Sequence, residues 1–128
     1  MEKRQNISSG AQWEDVVGYS RAVRIGNQIE VSGTVSLMEG KPHAIGNAYE
    51  QTKQILKIIE ESLQKAEASL EDVIRTRIFV TDISKWEEIG RAHGEVFGKI
   101  KPATSMVEVK KLISDEYLLE IEATALIA

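Results

Sequence analysis

Between Leu119 and Ala125 the chain reads LEIEATA, a strict alternation of apolar and polar residues. Successive side chains of a strand point to opposite faces. Leu119, Ile121, Ala123 and Ala125 therefore share one face, and Glu120, Glu122 and Thr124 share the other. A chain with such a strand must build a sheet that is apolar on one side and tolerates charge on the other. The run from Pro102 continues the pattern, with Val107 and Val109 on one side and Thr104, Met106 and Glu108 on the opposite side. A polar turn near Ser114 and Asp115 separates the two runs, and the spacing predicts a hairpin over residues 102–128. Its charged face reads most simply as a solvated surface. Partly shielded at an interface or cleft, the same carboxylates would acquire perturbed pKa values and could handle protons.

Upstream, residues 1–17 read as a polar entry segment that Trp13, Val16 and Val17 can pin down. Residues 19–25 and 28–35 flank Gly26-Asn27, a two-residue hairpin turn with glycine first. In the second of these strands Ile29, Val31, Gly33 and Val35 share a face, and Glu30, Ser32, Thr34 and Ser36 share the other. Gly33 weakens the strand and points to a bulge or to something approaching the backbone closely. Residues 37–46 read as a loop. A helix follows over residues 48–66, with Asn47 and Glu50 spaced as a capping box. Ala48, Tyr49, Thr52, Ile55, Leu56, Ile59, Leu63 and Ala66 form its apolar stripe, and its Glu, Gln and Lys residues form a solvated face. Residues 73–81 make a third strand, with Ile74, Thr76, Ile78 and Val80 inward and Val73, Arg75, Arg77 and Phe79 opposite.

Ser84 and Glu87 have capping-box spacing and open a second helix reaching about Ile100. Trp86, Ile89, His93, Val96, Phe97 and Ile100 mark its buried stripe. Gly90, Gly94 and Gly98 recur on one side. Each costs about 1 kcal/mol against alanine in a helix interior, so close approach to a sheet or a neighbour is the structural reason for them. The order is β-β-α-β-α-β-β in a single domain, residues 1–128, of α+β class. Two amphipathic helices pack on one face of a mixed sheet. The open face is expected to carry Glu30, Ser32, Arg75, Arg77, Glu108, Glu120 and Glu122, with Phe79 and Met106. Mixed charge there fits a wet surface, or a subunit interface with clefts at its seams, and the pattern favours the interface.

Several functions are disfavoured by composition. The net charge is −4, so there is no basic footprint for nucleic acid. No run is long and apolar enough to span a membrane, and the first ten residues lack the apolar core of a signal peptide. These features point to a cytoplasmic location. There is no cysteine, hence no thiolate chemistry. His43 and His93 lack the spacing of metal ligands and read as surface or packed residues.

The segments GYSRAV at 18–23, VSG at 31–33, the DV…FVTD run at 72–82 and LEIEATA at 119–125 together resemble the Rid family, the YjgF-type reactive intermediate deaminases also called liver perchloric-acid-soluble proteins. The resemblance spans nearly the whole chain. It implies a chorismate-mutase-like α+β fold and a homotrimer with small-molecule clefts between subunits. It also implies hydrolysis of enamines or imines such as 2-aminoacrylate, to a keto acid and ammonia, with no metal or cofactor. By match to the family motifs Tyr19, Ser32 and Gly33 would line the cleft and Glu120 would hold the water. The chain departs from the family at two points. Deaminating members carry Pro-Ala-Arg-Ser where this chain has Pro102-Ala103-Thr104-Ser105, and a family asparagine in the second helix is replaced by Gly90. Threonine cannot grip a carboxylate as an arginine fork does, which argues against efficient 2-aminoacrylate deamination. Arg77, on the face of Glu120 by parity, and Arg21 are the substitute cations to consider, although Arg77 is more simply the partner of an interface carboxylate.

Three functions compete. The first is hydrolysis of an enamine, imine or related metabolite at Glu120, with specificity altered by Thr104. The second is a non-catalytic trimer that binds or senses a metabolite. Ribonuclease or translation-inhibitor activity ranks last, because no basic stripe with stacking aromatics and no histidine pair is present.

Overall fold

The computed structural model describes residues 3–128. Its elements are β1 (Arg4–Ile7), α1 (Gln12–Val17), β2 (Ala22–Ile25), β3 (Gln28–Thr34), β4 (Leu37–Met38), β5 (Lys41–Pro42), α2 (Ala48–Lys65), β6 (Val73–Val80), α3 (Trp86–Phe97), β7 (Ala103–Glu108) and β8 (Leu119–Leu126). Six strands form one mixed sheet in the order β1-β2-β3-β8-β6-β7, and β4 and β5 form a small separate ribbon inside the expected loop.

Periodicity places the core where it should be. Leu119, Ile121, Ala123 and Ala125 of β8 are all buried, together with Ile29 and Val31 of β3 and Ile78 and Val80 of β6. The α2 stripe of Ala48, Thr52, Ile55, Leu56, Ile59 and Leu63 covers them, and α3 adds Ile89, Ala92 and Phe97. Both long helices lie on one side of the sheet, where α2 crosses β3 and β8 and packs against α3. Gly26, with φ of 60°, opens the β2–β3 turn as its position required.

Two bulges shift the parity of the strands. A register shift between Val31 and Thr34 turns Thr34 and Ser36 into the core, although strict alternation assigned them to the charged face. A second shift between Val73 and Arg75 buries Val73 and leaves Ile74 49% exposed, reversing the expected assignment of that pair.

The expected hairpin over residues 102–128 does not form. β6 lies between β7 and β8: it runs parallel to β7, with Thr76 opposite Thr104, and antiparallel to β8, with Thr76 opposite Ala123. Residues 109–118 carry the chain across that gap. Gln51, fully buried on the helix face expected to be solvated, clasps this connection. Its amide donates to the Glu116 carbonyl at 2.9 Å, and its carbonyl accepts from the Leu118 N–H at 2.9 Å. The parallel register also moves Met106 and Glu108 off the open face, onto the helix side in line with Ile78 and Val80.

Helix ends and the entry segment differ in detail. Asn47 caps α2, accepting from the Glu50 N–H at 3.0 Å. Ser84 does not cap α3. Its hydroxyl is spent on Asp82 at 2.6 Å, and Asp82 caps the turn of 3-10 helix at Ile83–Lys85 that leads into α3. Trp86 is 56% exposed rather than part of the stripe. A Cβ on Gly90 or Gly94 would meet nothing within 4 Å, so close packing within the chain does not explain these glycines. Trp13, Val16 and Val17 are exposed on α1, and the entry segment is held instead by Ile7 and by buried Glu14. Burial opposes ionisation of Glu14, but hydrogen bonds from Ser9 and Ser8 outweigh it and hold its pKa low.

Candidate functional site

Glu120 projects from β8 onto the open face of the sheet, opposite Phe79 of β6. Its neighbour across the β3–β8 seam is the bulge at Ser32 and Gly33. There the missing side chain matters, because a Cβ on Gly33 would stand 2.7 Å from Glu120 Oε1 and 2.8 Å from its carboxyl carbon. Real Cβ atoms are not found so close, so glycine at 33 is what lets the carboxyl lie over the β3 backbone. Burial raises the Glu120 pKa, and the Glu122 charge adds to the rise while Arg21 opposes it.

Arg21 stands on the same patch. Its guanidinium donates through Nη2 to the Gly33 carbonyl and lies 5.9 Å from the centre of the Tyr19 ring. Its Nε is buried without a partner. Burial lowers the Arg21 pKa, opposed by Tyr19, Glu14 and Glu120. Ser32 donates to the Ser20 carbonyl at 2.6 Å, and Tyr19 and Ser32 line a shallow groove with Glu14 and Ser20. Tyr19, Arg21, Ser32, Gly33 and Glu120 thus form one cluster at the β2–β3–β8 seam.

Arg77 is one pair further along the open face from Glu120, with Nη1 3.6 Å from Glu122 Oε1. Arg75 donates to the Ser105 hydroxyl at 2.8 Å. Glu30 accepts from Thr124 at 2.7 Å. The open face therefore does carry both signs of charge, as its alternation required.

Thr104 joins neither group. It is exposed on the edge strand β7, and its side chain turns to the helix side of the sheet. Its Oγ1 lies 2.8 Å from Oγ1 of fully buried Thr76, which lies 2.9 Å from Nε2 of His93 on α3. His93 packs against Phe97 with ring centres 4.7 Å apart, and burial lowers its pKa. The sequence did carry a sign of this thread: Thr76 is the one polar residue on an apolar strand face, and His93 the polar residue of an apolar stripe. Their link to Thr104 depends on the parallel register of β6 and β7, which no local pattern encodes.

An α+β sheet with helices on one side, mixed charge on the other, and a carboxyl over a strand glycine defines a small single-chain unit with two separate polar clusters. The model of the family described as endoribonuclease L-PSP matches residues 10–127. The chain belongs to this family, which includes the YjgF and RutC proteins. An uncharacterised protein of Streptomyces coelicolor is 32% identical over 97% of this chain and 92% of its own. A RutC family protein of Pyrococcus abyssi is 35% identical over 84% of each chain. The crystal structure of a YjgF/YER057c/UK114 family member from Mycobacterium tuberculosis superposes with a TM-score of 0.89 at 49% identity, covering 98% of this chain and 100% of that one.

Proposed function

We propose that the protein is a homotrimer with small-molecule clefts between subunits, in which Glu120 holds water against the C=N carbon of an imine, or of the imine to which an enamine tautomerises. The observation that carries this reading is the separation of the two polar clusters. Glu120 lies on the open face and Thr104 on the helix face of an edge strand, with β6 between their strands. A site that uses both draws them from two chains, the β7 edge of one subunit set against the β3–β8 seam of the next. A head-to-tail contact of that kind closes into a ring when the rotation between successive subunits brings the last back to the first. Exposed Trp13, Val16 and Val17 on α1, and Trp86, Val107 and Ile113 near the other edge, supply apolar surface for it.

The chemistry asks little of the protein. An enamine first becomes the imine by moving a proton from nitrogen to its terminal carbon; Glu120, ionised, then takes a proton from water as the oxygen adds to the imine carbon and returns that proton to the nitrogen. The C–N bond then breaks to leave a carbonyl and ammonia. A raised carboxyl pKa suits a group that must both take and return a proton near neutrality. Glu120 lies over the Gly33 backbone, Tyr19 and Ser32 line the groove of the same seam, and Arg77, already paired, is the weaker anchor. Without an arginine at 104, 2-aminoacrylate is a poor substrate in this reading.

The test has two parts. Native mass spectrometry should show three copies, and a stable monomer at micromolar concentration removes the cleft. Keto-acid release from a panel of enamines generated in situ should be lost in Glu120→Gln with the assembly intact. Binding without turnover by the wild type would favour the metabolite-sensing alternative.

A further inference from the structure

We infer that Arg21 is the positioning residue of the Glu120 site: it grips both residues of the β3 bulge and stands as a fixed positive charge beside the carboxyl that lies over that bulge. This rests on the reading of Glu120 as the group that takes and returns a proton. The ladder between β3 and β8 runs from Val31 opposite Ala123 to Thr34 opposite Ile121, and passes over Ser32 and Gly33. Those two residues are held from the other side, by the residues that lead into β2. The Ser32 N–H donates to the Arg21 carbonyl at 3.0 Å, and the Ser32 hydroxyl to the Ser20 carbonyl at 2.6 Å. The Arg21 guanidinium donates through Nη2 to the Gly33 carbonyl. The Glu120 carboxyl rests where a Gly33 Cβ would stand, so the shape of the bulge fixes its aim.

The charge of Arg21 has a part of its own. Its Nε is buried with no partner, and a buried donor left unsatisfied is costly. A neutral amide holds a carbonyl with fewer donors to satisfy, so the bond to Gly33 does not by itself account for a guanidinium here. Among the described residues the ion pairs are Lys53 with Glu95, Arg77 with Glu122 and Lys85 with Glu88, and none takes Arg21. Glu14, which also acts on Arg21, is held by Ser8 and Ser9. Glu120 is faced by Arg21 across the β3 seam, by Glu122 along β8 and by uncharged Phe79 on β6. Arg77 is committed to Glu122, and Glu30 of β3 to Thr124. Burial and Glu122 both favour the protonated carboxyl, and Arg21 is the group that opposes them. It thereby favours the ionised form of Glu120, the form that accepts a proton from water.

The test reads Glu120 directly in the intact protein, by the 13C shift of its carboxyl from about pH 4 to 9, with Glu120→Gln assigning the signal. In Arg21→Gln the titration midpoint should move upward by about one pH unit, the low end of what a neighbouring opposite charge is worth, while the Gly33 carbonyl signal stays near its wild-type place. Arg21→Lys keeps the charge and should hold the midpoint close to wild type. Arg21→Met loses both roles, and should raise the midpoint and displace the Gly33 signal. Glu122→Gln should move the midpoint the other way. In the wild type itself, the Gly33 carbonyl and Arg21 side-chain 15N signals should shift with the midpoint of Glu120, a reading that needs no variant to fold. The acid limb of kcat/KM for any enamine turned over should follow the Glu120 midpoint in Arg21→Gln. The inference is overturned by a midpoint that Arg21→Gln leaves in place, by one that Arg21→Lys and Arg21→Gln move equally, or by wild-type Gly33 and Arg21 signals indifferent to Glu120. Turnover with an unmoved midpoint removes Arg21 and leaves Glu120 as the proton carrier. A midpoint that moves as expected in a protein that turns over no enamine removes the catalytic reading and leaves the hold of Arg21 on Glu120.

Discussion

The Glu120 carboxyl occupies the space that a side chain at Gly33 would need, with Oε1 2.7 Å from the position of the absent Cβ. The relationship joins two strands and explains why a glycine interrupts β3 at its bulge. It also ties the backbone of one strand to the aim of a carboxyl on the next.

Gly33→Ala should therefore redirect Glu120 without unfolding the protein. The atoms that must give way are the far end of a flexible side chain, and the Gly33 backbone lies outside the left-handed region. The expected result is an unchanged circular dichroism spectrum and a stability change within about 1 kcal/mol. Ligand binding or turnover at the Glu120 cluster should fall sharply. Retained activity would detach Gly33 from the site.

Glu120 should also leave a mark on stability. Its folded pKa is raised, chiefly by burial, so the native state keeps a proton that the unfolded chain has already released. Its contribution is greatest below the ordinary glutamate pKa and is lost as pH rises through the raised value. Denaturant unfolding of wild type and Glu120→Gln, compared from about pH 4 to 8, should show the wild type losing stability relative to the variant as pH increases. A constant difference would place Glu120 in water.

His93 should act in the opposite sense. Burial lowers its pKa, so the unfolded state takes up a proton first as the solution is acidified. The contribution is complete above the ordinary imidazole value of about 6.5 and is lost as pH falls through the lowered one. His93→Gln should be less stable than wild type at pH 8, and the gap should narrow toward pH 5. Thermal unfolding across that range measures it.

Asn47→Ala removes the acceptor for the Glu50 N–H at the start of α2. The loss should be about 1 kcal/mol, the usual cost of an N-cap side chain, read as a lower denaturation midpoint with an unchanged slope. Ser84→Ala, by contrast, should cost less, because Asp82 still accepts from the backbone N–H at position 84 at 3.0 Å.

Local physics carried much of this protein in the sequence. The alternation of LEIEATA required one buried and one charged sheet face, and Leu119 to Ala125 are buried at every second residue. The 3.6-residue period of α2, the Gly26 turn and the significance of Gly33 were likewise legible, since each depends on a few neighbouring residues. The assignments that failed depended on contacts between distant segments. Two bulges reversed the parity of Thr34, Ser36, Val73 and Ile74, because an extra residue in a strand is set by its partner's register. The run at 102–108 and the run at 119–126 look like consecutive hairpin strands, yet β6 inserts between them. An apolar strand buried on one face gains more there, paired on both edges, than at the sheet's rim. That insertion turns Thr104 toward His93 and away from Glu120, so the residues that share an alternating pattern in the chain end on opposite faces of the sheet.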